Sequence, residues 1–308
     1  MIILIILLVF KLLFLLMPNI VLSAAREGLL LWFNNVMPAL LPFMIITNMF
    51  IGLGYAKKLG KFLAPIMSKF FGLPGEGGIA FIIGLTSGYP IGAKAVAQLR
   101  KKNMITTEHA QHLLAFCNNA GPLFILGVVG VGMFGSTTVG YILWIGHVLA
   151  ALVLGMLKSN QASESMHFSA CDEDTVNMSF AKTLGFSVKT AMESMAVIGG
   201  LIIFFNTVLA VLVEIGLPDS GLLGGVIAGV IEVTSGVNKI SGSGVSVLNI
   251  GIAAFVVAFG GLSIHMQTLH FTEGTGIKAA PYLLAKILHG IIAATITMCL
   301  WILVTRIS

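Results

Sequence analysis

Two short polar stretches interrupt apolar sequence, and their residue types suit holding a small polar solute inside a membrane. In the first half Asn118 and Asn119 stand in Cys117-Asn118-Asn119-Ala120-Gly121-Pro122; in the second, Ser263, His265 and Gln267 stand in Ser263-Ile264-His265-Met266-Gln267. Amides and hydroxyls both donate and accept hydrogen bonds. Pro122 lacks a backbone donor and frees a carbonyl upstream, so the asparagines can replace lost backbone bonds as well as meet a ligand. His265 is able to carry a proton. An ionisable residue inside a span reads as functional, with a packed, hydrogen-bonded histidine as the plainer alternative.

Ahead of each stretch lies the same tripeptide, Thr86-Ser87-Gly88 and Thr234-Ser235-Gly236, each after a Gly-Leu-Pro (Gly72-Leu73-Pro74 and Gly216-Leu217-Pro218). The two prolines are 144 residues apart and the two threonines 148, which is a two-fold internal repeat with small insertions. Their hydroxyls are candidate solute ligands, although small residues also serve close helix packing. Lys94 and Lys239 follow these threonines by eight and five residues. Two cations converging from opposed sides suit a substrate with two carboxylates; snorkelling to an interface is the alternative. Glu232 is the one acid well inside these segments. It reads as a proton or coupling-cation site, or as a local partner of Lys239.

Helices in lipid must position these groups. Only 9% of the 308 residues are charged, against about a quarter in soluble domains, and several apolar runs reach the ~20 residues that cross a bilayer. The fold class is therefore an all-α polytopic membrane protein. Expected are an N-terminal transmembrane segment over 1–22, a first repeat over 23–157, a polar cytoplasmic-side connector over 158–188 and a second repeat over 189–308. Within the first segment the apolar run 1–17 reads as a retained span, with a signal peptide as its competitor. Further spans fall at about 28–54, 138–157, 189–215 and 281–305.

Residues 76–99 and 220–246 are too broken by glycine to cross plainly, so each reads as a re-entrant helical hairpin. Residues 107–134 and 248–271 each read as a broken transmembrane helix. Unwound backbone in a membrane must be enclosed by protein or line a cavity, so tips and breaks should meet near the midplane. With the first hairpin entering from the cytoplasm, 11 of 17 basic residues fall inside (Lys57, Lys58, Lys61, Lys69, Arg100, Lys101, Lys102, Lys158, Lys182, Lys189, Lys278). That bias agrees with the positive-inside rule and makes the two repeats inverted, a transporter design.

Other classes fit poorly. The serine of Gly84-Leu85-Thr86-Ser87-Gly88 is outside the hydrolase elbow pattern, the histidines lack H-E-x-x-H and no P-loop is present. Three scattered cysteines, Cys117, Cys171 and Cys299, indicate neither disulfides nor metal. No enzyme activity, cofactor, metal site or nucleic-acid partner is expected. The expected partners are an anionic small molecule, the lipid bilayer, a coupling proton or sodium ion, and a second copy of the chain. The acidic patch Asp172-Glu173-Asp174 reads as a solvated loop.

Three motifs carry a family resemblance: Gly84-Leu-Thr-Ser-Gly-Tyr-Pro-Ile-Gly-Ala-Lys94, Phe116-Cys-Asn-Asn-Ala-Gly-Pro122 and Gly260-Gly-Leu-Ser-Ile-His-Met-Gln267. They resemble the sporulation integral membrane proteins of the YlbJ type, nucleoside-recognition (Gate) domain proteins related to concentrative nucleoside transporters. The resemblance runs over about residues 20–305. It implies hairpins packed on broken helices, and transport of dipicolinic acid into the forespore across its outer membrane. A nucleoside carrier and a non-transporting scaffold or gate subunit are the competing readings.

Overall fold

The computed structural model describes residues 1–157 and 179–307. The acidic patch, Cys171, Lys158 and most of the expected connector lie outside these. Among the described residues every regular element is helical.

The chain starts with α1 (Ile2–Leu16) and α2 (Pro18–Leu31), which bend by 101° about Met17. Pro18 explains the restart, since a proline suits the first helical position but cannot continue a preceding helix. A π-helical turn, Trp32–Val36, joins α2 to α3 (Met37–Gly52). The expected span over 28–54 is thus the later part of a longer helical path. Next, α4 (Tyr55–Phe71) forms where the sequence suggested a basic connector. Leu59, Leu63, Met67 and Phe71, four apart, pack into the core, while Lys58, Lys61 and Lys69 are exposed. Phe62, Ile66 and Phe70 are exposed beside these lysines, so the outward face mixes charge with apolar surface.

The first hairpin is α5 (Gly77–Ser87) and α6 (Ile91–Lys101). It is followed by α7 (Thr107–Cys117), a five-residue break, and a π-helical limb Leu123–Met133. Thr106 caps α7 by accepting from the His109 amide at 3.0 Å. After α8 (Thr137–Leu157), the 35-residue α9 (Phe180–Glu214) starts at a Ser179 cap; at 1.5 Å per residue it is about 52 Å long. The second hairpin is α10 (Gly221–Ile231) and α11 (Val233–Gly242). Then come α12 (Val247–Phe259), a single-residue break at Gly260 (φ 93°), α13 (Gly261–Thr272) and α14 (Ala279–Ile307). α8, α9, the path through α12 and α13, and α14 are each long and apolar enough to span a membrane.

The order hairpin, broken helix, closing helix occurs twice, and its parts meet reciprocally. α2 and α3 pack on α9, and α8 packs on α14. α6 packs on α13, while α11 packs on the limb Leu123–Met133. Each hairpin thus touches the far limb of the other half's broken helix.

The hairpins also contact different parts of α9. The open end of the first is tied to the start of α9 through Gln98–Asn48 (3.2 Å) and Asn48–Ser187 (3.1 Å). Lys102 bonds the Ile51 carbonyl, and Gln111 bonds the Lys278 backbone, at this same end. Ala228 and Ile231 of the second hairpin pack instead with Leu209, Leu212 and Leu217 at the far end of α9.

The repeated tripeptides differ in register. Thr86 and Ser87 close the first limb of their hairpin, whereas Thr234, Ser235 and Gly236 open the second limb of theirs. The turn explains it: Gly88, Tyr89 and Pro90 separate the first pair of limbs, and Glu232 alone separates the second.

Candidate solute-binding site

The first hairpin reaches the break after α7 because its contact face is glycine. A Cβ at Gly84 or Gly92 would collide with the Cys117 carbonyl oxygen, so only glycine lets both limbs close on the end of α7. Gly88 (φ 83°) adopts the left-handed side of the map, and its face abuts Gly121. The Tyr89 amide then donates to the Asn119 carbonyl. Tip and break are thereby stitched through backbone.

Asn118 joins the two halves. Fully buried, it donates from Nδ2 to Thr268 Oγ1 of α13 at 2.9 Å and to the Tyr282 hydroxyl of α14 at 2.8 Å. Tyr282 in turn contacts His265 Nδ1 at 3.1 Å and donates toward Thr268 Oγ1 at 3.3 Å. Lys286 of α14, 1% exposed, donates to the Asn118 carbonyl at 2.8 Å and contacts His289 Nδ1 at 2.9 Å. His289 Nε2 lies 3.2 Å from the His147 carbonyl of α8, and His147 Nε2 accepts from the Ala120 amide at 3.1 Å. A continuous polar chain therefore runs from α13 through α14 and the break to α8.

Bonding fixes parts of this chain. Because His147 Nε2 accepts from an amide, its proton sits on Nδ1. Among the described residues that buried Nδ1 has no hydrogen-bond partner; nor have His265 Nε2, Asn118 Oδ1, Asn119 Oδ1, Gln267 Oε1 or the Tyr89 hydroxyl. Buried polar atoms are nearly always satisfied, so these atoms are candidates for contact with a solute or water.

The residues expected from sequence divide into three groups. Asn118, Asn119, Ser263, His265 and Gln267 are all buried at or beside the two breaks. Asn119 Nδ2 donates to the Phe116 carbonyl at 2.6 Å, replacing a lost helix bond, and Gln267 Nε2 donates to Ser263 Oγ at 3.3 Å. The hairpin residues form the second group. Ser87 and Gly88 are buried at the tip, while Thr86 is exposed and bonds back to the Ile82 carbonyl at 2.8 Å. Glu232, also buried, caps α11 by accepting from the Thr234 amide (3.1 Å) and the Ser235 amide (2.7 Å); Gly236 packs against Gly229. Tyr89 of the first tip packs against the core cluster that includes Val233 and Val237 of the second hairpin.

The lysines form the third group, and the structure does not bring them together. Lys94 is buried against α9, donating to Ser194 Oγ at 2.7 Å and lying 6.0 Å from the centre of the Phe271 ring. Lys239 is partly exposed and pairs with Asp219. An ion pair with Asp219, rather than with Glu232, holds it at the surface end of its hairpin.

Sequence reading missed Tyr282, Lys286, His289, His147 and Thr268 as site residues. One signal was legible: Tyr282, Lys286 and His289, spaced four and three apart, share one face of an apolar helix.

A family model described as nucleoside recognition, Gate, matches residues 33–136, a range that includes the first hairpin and the Asn118 break. The sporulation integral membrane protein YlbJ of Bacillus subtilis (strain 168) is 31% identical over 319 residues, covering 92% of this chain and 78% of that protein. No solved structure matches the chain.

Proposed function

Since the chain belongs to the family of the sporulation integral membrane protein YlbJ, we propose that it is a secondary transporter moving a small carboxylated aromatic, dipicolinic acid, into the forespore across its outer membrane. The coarser part of that reading, a transporter-like membrane protein of sporulation carrying a Gate domain, follows from family membership itself. Dipicolinate comes from the resemblance of the three motifs, and the site chemistry supports it. The observation that carries the reading is the buried junction between the halves, where Asn118 of the first break bonds Thr268 of α13 and Tyr282 of α14. Broken helices facing each other at the repeat interface are the usual design of a secondary transporter's binding site.

Contact of the two hairpins with different parts of α9 supports an inverted repeat, and with it alternating access around a central site. The structure's polar centre is enclosed, as an occluded state of such a carrier would be. Residues proposed to meet solute are Asn118, Asn119, Ser263, His265 and Gln267 at the breaks, with Ser87, Gly88, Thr234, Ser235 and Glu232 at the tips. Lys94 is the lysine of the original pair whose burial suits a role near the site.

A nucleoside carrier is the second reading, favoured by the nucleoside-recognition match over the first repeat and by amide and hydroxyl groups suited to a ribose. Uptake by purified protein in liposomes separates the two. Labelled dipicolinate should accumulate and labelled uridine should not; uptake of uridine alone would replace the first reading with the second. Uptake of neither by folded protein would favour a scaffold.

A further inference from the structure

The break after α7 leaves helix carbonyls without intrahelical partners, and this end of a helix carries partial negative charge. In secondary transporters such half-helix ends and unwound carbonyls are where a coupling sodium ion binds. Here two side chains of the protein take carbonyls at the break. Asn119 Nδ2 takes the Phe116 carbonyl, and Lys286 Nζ, reaching across from α14, takes the Asn118 carbonyl at 2.8 Å. Among the described residues Lys286 has no carboxylate partner. Neither does it snorkel: it is seven residues into a 29-residue helix and 1% exposed. An ammonium is a compact point charge on a flexible stem, the side chain that most resembles a bound metal cation.

We propose that Lys286 is a tethered cation standing in for a coupling sodium ion at the α7 break, so that the carrier works without sodium. The inference rests on the transporter reading and deepens it, because sequence alone left sodium and proton as equal coupling ions. With the sodium position taken by an amine, the proton is the ion left for coupling. The titratable groups around Nζ are His289 and Tyr282 on α14, His147 on α8, His265 on α13 and Cys117 at the end of α7.

The test is thermal unfolding of the full-length purified protein in sodium, potassium or choline chloride at equal ionic strength. Wild type should melt at one temperature in all three salts. Lys286→Ala should melt several degrees lower in choline and recover selectively in sodium or potassium, which can occupy the position the ammonium held. Lys286→Arg should remain indifferent to the salt cation. A saturable, sodium-specific rise in wild type would overturn the proposal, as would a folded Lys286→Ala protein that melts alike in all three salts. Should Lys286→Ala not fold, binding of radioactive sodium to wild type decides: saturable binding overturns it, and none supports it. No readout here needs a transported solute, so failure of the transport reading would show separately, as absent uptake.

Discussion

Asn118 spends both amide protons on Thr268 and Tyr282, so one side chain ties the first break to α13 and α14 of the second half. Removing the tyrosine hydroxyl strands a buried Asn118 donor and one His265 nitrogen. Tyr282→Phe should therefore cost about 1–3 kcal/mol, the usual penalty for orphaning a buried polar group, read as a lower denaturation midpoint; no change would mean that the Asn118–Tyr282 bond contributes nothing. Glu232 poses a sharper question, because capping and ion coupling demand different chemistry. Glu232→Gln keeps one of the two acceptors for the α11 amides and should lower the melting temperature less than Glu232→Ala, which should cost about 0.5–2 kcal/mol as a lost cap. Glu232→Gln that folds normally yet loses uptake would assign the charge to transport. At this scale the sequence was partly legible. Asn118, His265 and Gln267 stand out because an apolar helix has no other reason to bury them. Lys286 did not, because a lysine in a span equally well sends its amine to the interface, and only the fold shows that Lys286 turns inward.

The hairpins and broken helices were legible from glycine and proline alone, since nothing else explains Gly84, Gly88, Pro90 and Gly92 within one apolar run. What sequence did not reveal was the register. The identical tripeptides sit on opposite sides of their turns because three residues form the first turn and one forms the second, a difference that only backbone geometry exposes. The helix α4 was also hidden, its lysines masking the four-residue spacing of Leu59, Leu63, Met67 and Phe71. The closeness of hairpin to break makes a prediction. Gly92→Ala places a methyl against the Cys117 carbonyl and should destabilise by about 1–3 kcal/mol, the cost of overpacking, with loss of uptake at temperatures where the fold survives. Gly200→Ala is the control, since a Cβ there meets nothing within 4 Å, and it should behave as wild type. Equal effects of both would argue that the hairpin is not held at the break by close packing.

For the whole molecule, the proposed inverted repeat requires the open ends of the two hairpins to face opposite sides of the membrane. In a chain freed of its cysteines, a single cysteine at Asn103 and one at Ser243 should be labelled by an impermeant reagent from opposite sides; labelling from one side would rule out the inverted repeat. The sequence suggested the inverted repeat through basic residues such as Arg100, Lys101, Lys102 and Lys278; in the fold Lys102 bonds the Ile51 carbonyl and the Lys278 amide bonds Gln111. The most direct test of a transport site at the two breaks is dipicolinate uptake into liposomes by wild type beside Asn118→Ala, with uridine as competitor. Wild type should accumulate dipicolinate unaffected by uridine, and folded Asn118→Ala should lose at least tenfold in rate, the ratio set by about 1.4 kcal/mol. Undiminished uptake by folded Asn118→Ala would contradict a solute site where the first break meets α13 and α14.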